Sequence, residues 1–142
     1  MQIRDIRLRD ATPSDKPHLL LWDRFDDQAL RSLAFYEDAE VISYRQNLLS
    51  RLPANISNLA LNENLDQELR SVRQICHNSQ KKVVILRDLD CLITYIQIQP
   101  NSPITLFWQS LFRMRHLESI LWILLPSKLA PPMWTSDRLQ RL

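Results

Sequence analysis

The chain has no glycine among its 142 residues. An average composition, at roughly 7%, would supply about ten. Glycine gives the backbone a positive φ and lets it approach a ligand closely. Its absence excludes the phosphate-cradling glycine loop, the dinucleotide fingerprint and the nucleophile elbow. Left-handed turn positions must go to other residues, and Asn47, Asn55, Asn58, Asn62, Asn64, Asn78 and Asn101 are the expected substitutes.

Cysteine is scarce. Cys76 and Cys91 form no framework and suit a reducing compartment. No apolar run approaches the ~20 residues that span a bilayer. The first residues alternate charge with aliphatics and lack the apolar core of a signal peptide. A soluble, cytoplasmic protein without membrane contact is expected.

Charge of one sign is also lacking, since 18 basic against 16 acidic residues leave a net +2. That does not announce a nucleic-acid protein. Arg45, Arg51, Arg70, Arg73, Arg113 and Arg115 could still gather against phosphate backbones, although interleaved acids favour a solvated face. His18, His77 and His116 are too scattered for a site and are expected at the surface or hydrogen-bonded. Cys76 and His77, adjacent on a helix, diverge and make poor metal partners. Cys91 lacks a nearby cation to activate its thiol and reads as buried filler. No cofactor is implied.

What is present is a set of apolar strands. Lys81 to Asp90 reads as two lysines, the run Val83-Val84-Ile85-Leu86, then Arg87-Asp88-Leu89-Asp90. Such a run is a strand buried on both faces, the usual centre of a parallel sheet. His18–Trp22 and Ile120–Leu125 are two more, the latter stopped by Pro126. Between them, Ala29, Leu30, Leu33 and Ala34 share a helix face behind the N-cap Asp26, and Glu40–Tyr44 resumes strand character. Short loops there favour a parallel pair with a right-handed crossover. Leu48, Leu49 and Leu52 suggest one helical turn closed by Pro53, and residues 56–61 a short strand or apolar loop.

Leu65, Leu69, Val72 and Cys76 form a helical stripe, with Glu68, Arg70, Arg73 and Gln74 off it. Residues 91–99 fit no single period. Ser102-Pro103 starts a helix with Ile104, Phe107, Trp108, Leu111 and Phe112 on one face and Arg113, Arg115 and His116 in its last turn. Pro131-Pro132 precede a short terminal helix over 136–142. The alternation predicts a three-layer α/β sandwich with a mainly parallel central sheet, P-loop-NTPase-like or Rossmann-like. Residues 1–16, with an alternating stretch at 2–8, form an N-terminal arm, and 17–142 a single domain.

The strand carrying Asp88, the helix after it and the strand Ile120–Leu125 resemble the core of a P-loop ATPase of the AAA or STAND class. They would be its Walker B strand, following helix and sensor strand. The unit Leu19–Tyr44 and the Leu129-Ala130-Pro131-Pro132 segment resemble the N-terminal, ATPase-like half of AAA proteins of cyanobacteria and plastids. The likeness covers roughly residues 17–135. It departs where such a member would carry a glycine-rich loop ending in Lys-Ser/Thr. Here stands Asp23-Arg24-Phe25-Asp26-Asp27, and no Glu follows Asp88. The resemblance implies a P-loop-like domain without its P-loop.

Asp88 and Asp90 also match the paired aspartates of haloacid-dehalogenase phosphatases, which would make them metal-binding and catalytic. That family has Gly-Thr where this chain has Cys91-Leu92. The acids Asp23, Asp26 and Asp27, with Asp88 and Lys128, resemble a response-regulator receiver, although no last strand is apparent after Lys128. The leading expectation is a non-enzymatic adaptor or regulatory protein, with an active ATPase or a second copy as partner. Trp134, Met133, Leu139, Arg113 and Arg115 are the candidate partner contacts. A magnesium-dependent phosphatase or nuclease using Asp88 and Asp90 is one alternative, and a pseudo-receiver or nucleic-acid-binding subunit the other.

Overall fold

A computed structural model describes Ile6, Leu8 and residues 15–24, 26–52 and 64–142. The apolar runs form the strands β1 (His18–Leu21), β2 (Ala39–Ser43), β3 (Val83–Arg87) and β4 (Ile120–Leu125), and a fifth, β5, spans Leu139–Arg141. The sheet order is β2-β3-β4-β1-β5, and every pairing is parallel. Ile85 lies opposite Trp122, and Leu20 opposite Leu124. As expected, β3, β4 and β1 are adjacent and almost wholly buried.

Side-chain alternation divides the core in two. On one face Leu20, Trp22, Ile85, Trp122 and Leu124 pack against Ala29, Leu30 and Leu33 of α1 (Asp27–Tyr36). Ile6 and Leu8 are buried in the same layer, so the N-terminal arm contributes to this core; the rest of the stretch 2–8 lies outside the described residues. On the other face Leu19, Leu21, Val84, Leu86, Leu121, Ile123 and Leu125 meet α2 (Tyr44–Arg51), α3 (Leu65–Asn78), α4 (Asp90–Gln97) and α5 (Ile104–Phe112). Helices on both faces of a parallel sheet make the three-layer α/β sandwich. Among the described residues no helix is long and apolar enough to cross a membrane.

Several local expectations change. The unit over 18–44 does not close a strand pair: β1 and β2 are separated by β4 and β3, and α1 crosses over both. Residues 91–99 belong largely to α4, because Leu89, Leu92, Ile93 and Ile96 form the buried stripe rather than Tyr95 and Ile98. The segment at 45–52 is a helix of two turns, not one, capped by Ser43, whose Oγ accepts from the Gln46 amide. The suggested strand over 56–61 lies outside the described residues.

The terminal helix expected over 136–142 is a single 3-10 turn, Ser136–Arg138, followed by β5. Pairing with β5 satisfies the edge of β1, and the Leu142 amide donates to the Leu21 carbonyl at 2.8 Å. Left-handed backbone falls on Asp38, Asp88, Asn101 and His116. Of the described asparagines expected there, Asn47, Asn64 and Asn78 do not adopt it; Asn55, Asn58 and Asn62 lie outside the described residues.

Candidate functional site

Loops leaving the carboxyl ends of β1 and β4 diverge to opposite faces. The chain after β1 runs to α1, and the chain after β4 runs past Leu129 and Trp134 on the other side. Such a divergence opens a crevice, where open α/β sheets place their ligands. A cavity of about 170 Å³ lies there, lined by Trp22, Asp23, Arg87, Asp88, Asp90, Leu124, Leu125 and Pro126. The fold therefore brings the acidic turn after β1 and the aspartates after β3 to one place.

Each acid of the first turn has a local partner. Asp23 accepts from the Ser127 amide at 2.7 Å and from the Ser127 hydroxyl at 2.5 Å, bridging the two diverging loops. These hydrogen bonds, the hydroxyl first, hold the Asp23 carboxyl below its ordinary value. Asp26 caps α1 by accepting from the Ala29 amide at 2.7 Å. Asp27, in the first turn, meets Arg87 Nη1 at 3.2 Å.

Asp88 sits at φ 66°, in the left-handed region. That conformation is sparse for a residue with a Cβ and is retained only where surroundings enforce it. Its Oδ2 accepts from Ser43 Oγ at 2.5 Å and lies 3.5 Å from Arg87 Nε. Ser43 thereby joins the start of α2 to the end of β3. Asp90 opens α4, where its charge suits the helix dipole. Among the described residues no group of three or more His, Cys, Asp or Glu side chains is arranged to hold a metal ion. The chemistry available is that of two half-buried carboxylates beside one arginine.

The expected partner contacts differ in exposure. Trp134 is only 6% exposed, so it is no exposed anchor. Its ring stands edge-on to Phe112 and Trp108, at 5.1 and 5.9 Å between centroids. Leu139 is half-buried within β5, while Met133, Arg113 and Arg115 are exposed. Cys91, read as buried filler, is exposed, whereas Cys76 is buried. Partial burial of the sulfur, then the Asp90 charge, pushes the Cys91 thiol up.

His18 is fully buried, and desolvation followed by the Arg138 charge lowers its pKa. His77 pairs with Glu118 at 2.9 Å. His116, exposed, lies 3.7 Å from Asp15. The three histidines stay apart from the crevice lining.

Sequence reading missed two buried polar assemblies. Glu68, placed off the helical stripe, is buried; it accepts from the Tyr44 hydroxyl at 2.5 Å and from Arg51 Nη2 at 2.8 Å. Arg138 is buried as well, donating to the Pro17 and Phe112 carbonyls. The expected gathering of arginines is partial. Arg51 is held by Glu68, whereas Arg70, Arg73 and Arg113 line one groove between α3 and α5. Neither the protein-family models nor the curated proteins compared with the chain match it.

Proposed function

We propose that the chain is an inactive P-loop-ATPase-like domain that works by contacting another protein. The observation carrying this reading is the turn between β1 and α1. An ATPase uses that place to converge backbone N–H groups on phosphates. Here the first turn of α1 is capped by the carboxylate of Asp26, and Asp23 is engaged with Ser127. The anion position at the helix start is taken by the protein's own acid.

The sheet supports the same reading. With β4 between them, β1 and β3 direct their ends into one crevice, which suits a phosphate-loop strand and a Walker B strand. A receiver would follow the flavodoxin-like order 2-1-3-4-5, with β1 beside β2 and β3. Here β1 lies beside β4 and β5, which speaks against a pseudo-receiver.

Phe35 and Tyr36 at the end of α1 support a protein contact. They are 83% and 60% exposed and stand edge-to-face at 5.9 Å. Large aromatics are enriched among residues that dominate protein interfaces. An active ATPase or a second copy is the partner this reading implies. Affinity capture should return one stoichiometric protein, lost with Phe35→Ala/Tyr36→Ala and retained with Asp88→Asn. Capture insensitive to the aromatic pair overturns this surface.

The second reading, a magnesium-dependent phosphatase or nuclease, is favoured by the left-handed backbone of Asp88 and by Asp90 on the same crevice. Its sign would be metal-dependent hydrolysis abolished by Asp88→Asn.

A further inference from the structure

We propose that the groove between α3 and α5 binds a phosphate group. The two helices turn Val72, Ile75 and Cys76, and Phe107, Trp108 and Leu111, into the core. Their outer edges leave a groove of about 280 Å³, lined by Leu69, Arg70, Arg73, Ser110, Arg113 and Met114. Three of these six side chains are arginines, and none is a carboxylate.

The lack of compensating acid sets this groove apart. Arg51, Arg87 and Lys81 each hold a carboxylate. Among the described residues Arg70, Arg73 and Arg113 form no ion pair. Arg70 and Arg73 stand one turn apart on α3, close enough to repel each other. Arg73 Nη1 donates to the Arg115 carbonyl at 2.7 Å, which fixes its direction and meets the chain just past α5. One guanidinium satisfies that carbonyl. Arg70 and Arg113 are exposed, and among the described residues no carboxylate pairs with either guanidinium fork.

A phosphate completes the arrangement. Guanidinium forks match its oxygens in bidentate fashion, and Ser110 adds a hydroxyl donor. Leu69 and the buried Met114 give the groove an apolar floor, against which charge-assisted hydrogen bonds are stronger than in open water. Among the described residues no aromatic ring lines the groove to give a base a stacking platform. It reads the phosphate and not the nucleobase. None of its residues lines the crevice at β1 and β4, so this inference is independent of the proposed function.

The phosphate can belong to a small monoester or to a nucleic-acid backbone, and one experiment separates the two. Backbone amide shifts of the full chain are followed during titration with inorganic phosphate, pyrophosphate and a short oligouridylate without terminal phosphates. Saturable shifts centred on Arg70, Arg73, Ser110 and Arg113 are expected. Saturation by phosphate or pyrophosphate identifies a monoester site. Saturation by the oligonucleotide alone, weakening steeply with salt, identifies a backbone site. In either case Arg70→Ala/Arg113→Ala should weaken binding roughly tenfold or more, and both residues are exposed, so folding is preserved. The control Arg31→Ala/Arg45→Ala removes two exposed arginines from other helices and should leave binding unchanged. The proposal is overturned by no saturable binding of any probe, by binding that survives the groove substitutions, or by equal loss in the control.

Discussion

Trp134 and Arg138 hold each other in place: the indole Nε1 donates to the Arg138 carbonyl at 2.9 Å, and the Arg138 guanidinium lies 5.0 Å from the indole ring centre. The same guanidinium stands 4.1 Å from the Phe112 ring centre and donates through Nε and Nη2 to the Pro17 carbonyl at 3.1 and 2.7 Å. One residue thus joins the start of β1, the end of α5 and the entry to β5.

Arg138→Ala should destabilise the fold by about 3 kcal/mol. Hydrogen bonds from a charged donor contribute ~1.5–3 kcal/mol, and stacking on two desolvated rings adds to that. Arg138→Lys should recover only part, because an ammonium lacks the planar fork. Urea unfolding midpoints decide this. An alanine variant within 0.5 kcal/mol of wild type, about the range of ordinary surface substitutions, would remove Arg138 from its structural role.

The network of Tyr44, Glu68 and Arg51 makes a second prediction. Burial, then the hydrogen bond to Glu68, pushes the Tyr44 phenol far above its ordinary value. A raised folded pKa contributes stability that is complete below the unfolded value, 10.0, and is lost as pH rises above it. Stability should therefore fall above about pH 10. Tyr44→Phe should lower stability at neutral pH by about 1.5–3 kcal/mol, the loss of one hydrogen bond to a buried carboxylate, and flatten that alkaline decline. An equally steep decline in the variant would assign it elsewhere, with Cys76, pushed up to about 12, the next group to examine.

At the acid end the sign reverses. The Asp23 carboxyl is held below 3.8 by Ser127. Its contribution is present above that value and is lost as pH falls through the folded pKa. The Ser127 amide should therefore keep its shift through neutral pH and move only under strongly acidic conditions. In Asp23→Asn that acid transition should disappear. A Ser127 amide that titrates unchanged in the variant would show that the bridge does not form.

The outline of this fold was legible where burial on both faces left its mark. Val83–Leu86, Leu19–Leu21 and Ile120–Leu125 are apolar on consecutive positions, as interior parallel strands must be. Asp26 was legible because capping is local. β5 was not: Leu139-Gln140-Arg141 has no strand pattern, and it is a strand only because β1 offers an open edge. α4 was obscured because its buried stripe begins at Leu89, before the helix proper. The burial of Trp134 depends on Trp108 and Phe112, ring partners far along the chain that no local window contains.

The crevice was legible in its parts, Asp23 and Asp88, but not in its closure. The hydrogen bonds from Ser127 to Asp23 join residues brought together only by the β1–β4 pairing. Ser43, likewise, meets Asp88 through the pairing of β2 with β3.

Ile85 tests the sheet itself. It is fully buried on β3, opposite Trp122, in the layer beneath α1. Ile85→Ala should cost about 2–5 kcal/mol through lost contacts and the cavity left behind. Denaturant midpoints check it, and a loss below about 1 kcal/mol would mean that the site collapses around the deletion or is not closely packed.

The crevice should not bind ATP. Nucleotide binding at the carboxyl edge of a sheet requires N–H groups converging on the phosphates at a helix start, usually beside a lysine. Glycine normally permits that approach, and the chain has none. The Ala29 amide is taken by Asp26, the Ser127 amide by Asp23, and Arg87 is held between Asp27 and Asp88. A triphosphate arriving there would meet carboxylates of its own sign in place of free donors. Asp23→Ala should not rescue binding, because removing one acid supplies no cradle. The measurement is titration with ATP and Mg²⁺ in the Arg70→Ala/Arg113→Ala background, so that phosphate binding in the α3–α5 groove does not contribute. Amides of residues 22–24, 26 and 27 should stay unshifted up to roughly millimolar ligand, a binding free energy weaker than about −4 kcal/mol. Saturable shifts there at micromolar ATP would make the domain a nucleotide binder and end the reading of it as inactive.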